Sequence, residues 1–110
     1  MQRKTTRPAK LANVIKRVKE HAEVGRIIDT RHSKGRQKER FVTFSEIVQV
    51  LNTGWHEKIK DEWKIEFQAW NYSIRGKTID GVELRVPVFF DDSDPKVTYF
   101  GVVTVVKLTH

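Results

Sequence analysis

AWNYSIRGKTIDGVELRVPVFF, residues 69–90, is the stretch that decides the fold. Trp70, Tyr72 and Ile74 alternate with Asn71, Ser73 and Arg75, and Leu84, Val86, Val88 and Phe90 continue an alternation begun at Val82. A period of two puts successive side chains on opposite faces of a strand. Asp80-Gly81 lies in the loop over 76–81 and supplies the positive-φ residue that a hairpin turn requires. The stretch therefore predicts two antiparallel strands, the second over Val82–Phe90. If Ile74 pairs with Leu84, the apolar residues of both strands share one face. The opposite face then carries Asn71, Ser73, Arg75, Glu83, Arg85, Tyr99 and Lys107, with Arg75 across from Glu83 and Ser73 across from Arg85. Pro87 fits poorly, since a central strand has no ladder donor to spare. Either a bulge lies near Pro87 or the strand order differs.

Working outward, Asp91 to Lys96, with Pro95, reads as a second turn, and Val97 to Leu108 is rich in β-branched residues and reads as the last strand. Trp55 to Ile65 is charged and mixed, a ragged edge strand. Thr43-Phe44-Ser45-Glu46 is a capping box that opens a helix. Ile47, Val48, Val50 and Leu51 give that helix its apolar stripe, and Gly54 closes it. Further upstream, Leu11, Val14, Ile15 and Val18 recur at helical spacing. With Thr5, Thr6 and Pro8 as start signals and Gly25 as stop, they predict a helix over 9–23. Arg26 to Thr30 is a short extended segment. RHSKGRQKER, residues 31–40, is a helix broken or bent at Gly35. The fold class is α+β: N-terminal helices packed on one face of a three- to four-stranded antiparallel sheet. The chain divides into a basic N-terminal helix, 1–25, and an α+β unit, 26–110, within a single domain overall.

Charge is unevenly placed. Residues 1–40 hold 13 Lys and Arg against 4 Asp and Glu, and residues 41–110 hold 8 against 10, so the net +7 comes from the first part. A basic arm on a near-neutral body points to a phosphate-rich partner. The first helix has too few apolar positions for firm insertion into an acidic membrane surface. Without cysteine there is no disulfide, zinc thiolate site or cysteine nucleophile. The basic start lacks the apolar stretch of a secretory leader, so a cytoplasmic protein is expected. His21, His32, His56 and His110 lack metal-ligand spacing, and no glycine-rich phosphate loop is present; no metal or cofactor is expected. Glu57, Asp61, Glu62 and Glu66 read as a solvated acidic edge.

TRHSKGRQKERFVTFSEIVQVLNTG, AWNYSIRGKTIDGVELRVPVFF and the closing VVTVVKL together resemble the bacterial and phage family called domain of unknown function 4258, over residues 26–108. That family pairs a helix of H-x3-R-x3-R type with a second helix and a meander ending in a T-V strand. It is similar to the RelE-like toxin ribonucleases, which bind RNA on an open sheet face. The resemblance implies an RNA-binding protein or a metal-independent, toxin-like endoribonuclease, with a cognate antitoxin-like protein as a further partner. His32, Arg36 and Arg40 stand at the family's His and Arg positions, and Thr104 at the closing T-V position.

Chemistry gives these residues roles. An imidazole with a pKa near 6.5 suits proton transfer, so His32 is the candidate general acid or base, with the RNA 2′-hydroxyl as nucleophile. Arg36, Arg40, Arg75 and Arg85 would hold the scissile phosphate. Arg31, Lys34, Lys38, Ser73, Arg75, Arg85, Tyr99 and Lys107 are the candidate nucleic-acid contacts, Tyr99 as a stacking ring. A plain alternative stands beside this: His32 bonds the fold while the arginines pair with Asp29 or Glu39. In another, the cations only position a backbone, in a non-catalytic nucleic-acid or protein interaction module.

Overall fold

A computed structural model describes residues 7–94 and 97–108, and in it the hairpin read from residues 69–90 forms the middle of the sheet. β4 (Ala69–Lys77) pairs antiparallel with β5 (Glu83–Asp94). Gly81 takes φ +83° in the connecting turn, where its amide donates to the Thr78 carbonyl at 2.9 Å. Ile74 faces Val86, not Leu84. The expected register is thus off by two residues, which moves every partner along but leaves each side chain on its face. Arg75 consequently lies across from Arg85, and Ser73 across from Pro87.

β5 runs on to Asp94, so residues 91–94 of the expected turn belong to the strand, and its remaining residues, 95 and 96, lie outside the described residues. The last strand is two pieces on the same side of β5: β6 (Val97–Val102) and β7 (Val106–Lys107). Between the ladder pairs Arg85–Val106 and Val88–Val102, two residues of β5 face three of the other chain segment. That bulge answers the problem of Pro87. The proline carbonyl accepts from the Val103 amide at 2.9 Å, so its missing N–H points at the interrupted part of the ladder. One extra residue also exchanges the faces beyond it. Lys107 comes to lie opposite Leu84, on the face the helices cover, and this corrects its expected place on the open face.

The sheet is also larger than expected, and mixed. β1 (Ile27–Asp29) adds to β6 in parallel, with Ile27 beside Phe100. On the other side, β2 (Trp55–His56) and β3 (Glu62–Lys64) both pair with β4, the ragged edge strand being interrupted by Glu57–Asp61 and the 3-10 turn Lys58–Lys60. Among the described residues seven strands thus fill the order β1, β6, β5, β4, β2, with β7 beside β5 and β3 beside β4, in place of a three- to four-stranded antiparallel sheet.

α1 (Val14–Glu23) and α3 (Phe44–Thr53) cover one face. Val14, Val18, Ile47, Val50 and Leu51 meet Ile74, Leu84, Val86, Val88, Phe100, Val102 and Val105 there, all essentially without exposure. α1 starts five residues later than the periodicity predicts, because the preceding segment is tied to the sheet. Trp70 Nε1 donates to the Pro8 carbonyl at 2.8 Å and the Leu11 amide donates to the Tyr72 hydroxyl at 2.9 Å. The start signals Thr5 and Thr6 lie outside the described residues. α2 (Arg31–Arg40) runs unbroken through Gly35.

α3 begins where the capping box places it. Glu46 N–H donates to Thr43 Oγ1 at 3.1 Å, and Thr43 N–H donates to Glu46 Oε1 at 2.8 Å. Replacing Thr43 by Ala should lower the unfolding free energy by about 1 kcal/mol, read as a lower denaturation midpoint at unchanged slope; no shift would mean the cap is not formed in solution. At the other end Gly54 is required by contact. A side chain there would stand 2.6 Å from the Val50 carbonyl oxygen and 2.5 Å from that of Arg75, where α3 leaves over β4. No helix among the described residues is long and apolar enough to cross a membrane.

Candidate nucleic-acid interface

Thr30 fixes the start of the basic helix. Its hydroxyl donates to the Val102 carbonyl at 2.7 Å and accepts the Ser33 amide at 3.1 Å, capping α2 and binding it to the end of β6. The side of α2 turned to the protein is polar. Ser33 is fully buried, and Gln37 Nε2 donates to its Oγ and to both oxygens of Asp29 at 2.8–3.1 Å. The cations are left pointing outward: Arg31, Lys34 and Lys38 are exposed, and Arg36 and Arg40 half-buried. Among the described residues the one ion pair made by this helix is Arg36 to Glu39, at 3.0 Å. Asp29 is occupied by Gln37 and pairs with no arginine among the described residues.

A cleft of about 940 Å³ lies over the sheet face that α1 and α3 leave open. That is toward the upper end of ligand-site sizes. Asn71, Phe89, Asp91 and Val103 form its floor, Lys64, Glu66, Phe67 and Gln68 of the β3–β4 turn one wall, and Thr30 and His32 the other. Phe67 is 76% exposed, and the Phe89 ring lies against the bare backbone of Gly101. The basic helix therefore opens at the rim of an aromatic cleft, and only its first turn reaches in. Arg36 and Arg40 follow His32 along the axis by about 6 Å per four residues and do not line the cleft. His32 is exposed, and among the described residues its ring makes no ion pair with a carboxylate.

Arg75 and Arg85 are on the same sheet face but belong to a different cluster. From Asn71 to Arg75 is four residues, about 13 Å along a strand. The β4–β5 register sets the two guanidinium groups side by side, and the buried Glu57 carboxylate joins them. Arg85 Nε donates to Glu57 Oε1 at 2.7 Å, Arg75 Nη1 to Oε2 at 2.8 Å and Ser73 Oγ to Oε1 at 3.3 Å, while Arg75 Nε reaches Glu83 at 3.0 Å. The Arg85 hydrogen bond, followed by that of Arg75, outweighs burial and holds the Glu57 carboxyl down to about 2. Arg75 lowers Glu83 as well, and the two carboxylates raise Arg75. Ser73, itself buried, faces this carboxylate.

The neighbouring Asp61 is half-buried as a residue, but its side chain is fully enclosed. Its carboxylate accepts from the Ser73 amide at 2.8 Å, from His56 Nε2 at 2.8 Å and from Lys10 Nζ at 3.0 Å. It replaces the ladder partner that β4 loses where the edge strand is interrupted. Glu57 and Asp61 are thus not the solvated acidic edge that the sequence suggests. Their i, i+4 spacing around a short turn carried no signal for burial; the basic partners come from distant segments.

Of the expected site residues, His32 alone lines the cleft. Arg31, Lys34, Arg36, Lys38 and Arg40 extend from its rim, Ser73, Arg75 and Arg85 are closed on Glu57, and Tyr99, 41% exposed, stands beside Asp91 on the open face. Asn71, Phe89, Phe67 and Lys64 line the cleft without having been singled out as its walls; alternation placed Asn71 on the open face, but the β3–β4 turn that completes the cleft has no local signature. Among the described residues no group of three or more His, Asp or Glu side chains is placed to hold a metal ion. No family model matches the chain, and no curated protein or solved structure matches it either.

Proposed function

We propose that this protein binds single-stranded RNA, with bases entering the open-face cleft and phosphates following α2. One observation carries the reading: the helix that concentrates five cations against one acid starts at the wall of a cleft with aromatic rings on its floor and rim. Aromatic faces stack unpaired bases, and a row of cations tracks the backbone. Arg75 and Arg85 are not counted among the phosphate contacts here, because they are paired with Glu57 and Glu83.

Affinity should fall steeply with salt, since each phosphate contact releases counterions and contributes about 0.7 to the logarithmic slope for single strands. Changing Lys34, Arg36 and Lys38 together to Gln should weaken binding and reduce that slope by about 2. Fluorescence anisotropy of a labelled RNA across a salt series measures both. Affinity that stays flat between low and moderate salt would sink the reading.

Cleavage is a second reading, favoured by the presence of His32 in the cleft wall. In it the imidazole moves a proton to or from the 2′-hydroxyl or the leaving oxygen. Binding takes first place because the arginines assigned to the scissile phosphate do not gather around that imidazole.

A further inference from the structure

We propose that the cleft reads one unstacked adenine base, stacked on Phe89 and hydrogen-bonded by the Asn71 side chain. This rests on the RNA-binding reading and deepens it. Tyr72 pairs with Val88, so Asn71 stands beside Phe89 across the ladder, and Phe89 in turn lies opposite Gly101. A side chain at Gly101 would strike the Phe89 ring, 2.6 Å from Cζ. The ring therefore rests on bare backbone and offers its other face to the cleft. Asn71 is half-buried on the cleft floor, and its amide makes no hydrogen bond within the described protein. An amide gives one acceptor and two donors in a plane. That pairs with an amino group beside a ring nitrogen, as on adenine, where Oδ1 accepts from N6–H and Nδ2 donates to N1 or N7.

The rest of the cleft favours the same base. Glu66 lines it, and an ionised carboxylate only accepts hydrogen bonds. It favours an exocyclic amino group and disfavours the carbonyl edges of uracil or hypoxanthine. It also repels phosphate, which leaves the backbone at the rim beside His32 and Lys64. Cytosine carries the same donor–acceptor pair, but the larger purine face gains more from the Phe89 platform.

The test uses oligouridylate carrying at its centre a single adenosine, a single inosine or no replacement, with affinity read by anisotropy. Inosine keeps the purine ring and exchanges the amino group for a carbonyl. The adenosine strand should bind about tenfold more tightly than either other strand. Asn71→Ala should bring the adenosine strand to the affinity of the inosine strand, and Asn71→Asp, which keeps the shape and loses the donors, should do the same. Phe89→Leu should weaken all three about tenfold. Equal affinity for adenosine and inosine, a preference that survives both Asn71 variants, or indifference to Phe89→Leu overturns the proposal while RNA binding stands. If folded wild-type protein binds none of the strands, the RNA-binding reading itself falls.

Discussion

Glu57→Gln should cost about 2–3 kcal/mol of stability, the largest loss expected from any single polar substitution considered. Arg75 and Arg85 are direct cross-strand partners, an arrangement that is unfavourable for like charges unless something lies between them. Glu57, 5% exposed, is that intermediary. Breaking a buried pair by removing one partner costs about 3–5 kcal/mol, and the figure is reduced here because the guanidinium groups remain partly in water, at 29% and 20% exposure. The variant keeps the size of the side chain and loses only the charge. Denaturant unfolding of the two proteins at neutral pH measures the difference; a loss below about 0.5 kcal/mol would mean that the cluster does not hold the hairpin together. Acid tests the same group. The folded carboxyl sits at about 2 against an ordinary value of 4.5, so its contribution is present above about 4.5 and is lost as pH falls toward 2. Wild type should lose stability across that window, and Glu57→Gln should lose less.

On the cleavage reading, wild-type protein cuts RNA without added metal and in the presence of chelator, and His32→Gln cuts at least ~10²-fold more slowly, the usual worth of a positioned proton carrier. Binding of a 2′-O-methyl RNA, which has no nucleophile to offer, should change little, because the cations of α2 remain. Gel-resolved single-turnover cleavage of a labelled RNA, run beside anisotropy, separates the two quantities. A wild-type protein that cuts nothing, or cleavage indifferent to His32, removes the enzyme reading and leaves binding alone. Among the described residues no ion pair to a carboxylate orients the exposed imidazole, so a cleaving enzyme would have to position His32 through the RNA it binds.

The features that short-range chemistry controls were legible in the amino-acid order. The Thr43 capping box fixed the start of α3, because its donors and acceptors are three residues apart. Asp80-Gly81 fixed the turn of the central hairpin, because only a residue tolerant of positive φ closes it there. Period-two alternation assigned Ile74, Val86 and Val88 to the buried face and Asn71 to the open one, and this survived a two-residue error in register since such a shift preserves faces. Pro87 announced the bulge, although not that the bulge would turn Lys107 to the other face. What tertiary structure alone decided involves partners far apart in the chain. β1 joins β6 across more than seventy residues, and no local pattern records a parallel pairing of three residues. The segment before α1 carries helix signals but gives them up for bonds to Trp70, Tyr72 and Asp61. Glu57 and Asp61 look like ordinary surface acids, and their burial depends on arginines, a histidine and a lysine that only the folded sheet brings to them. The cleft has the same origin: its floor follows from alternation, but its walls come from α2 and the β3–β4 turn, which meet only because both are anchored to opposite sides of one sheet.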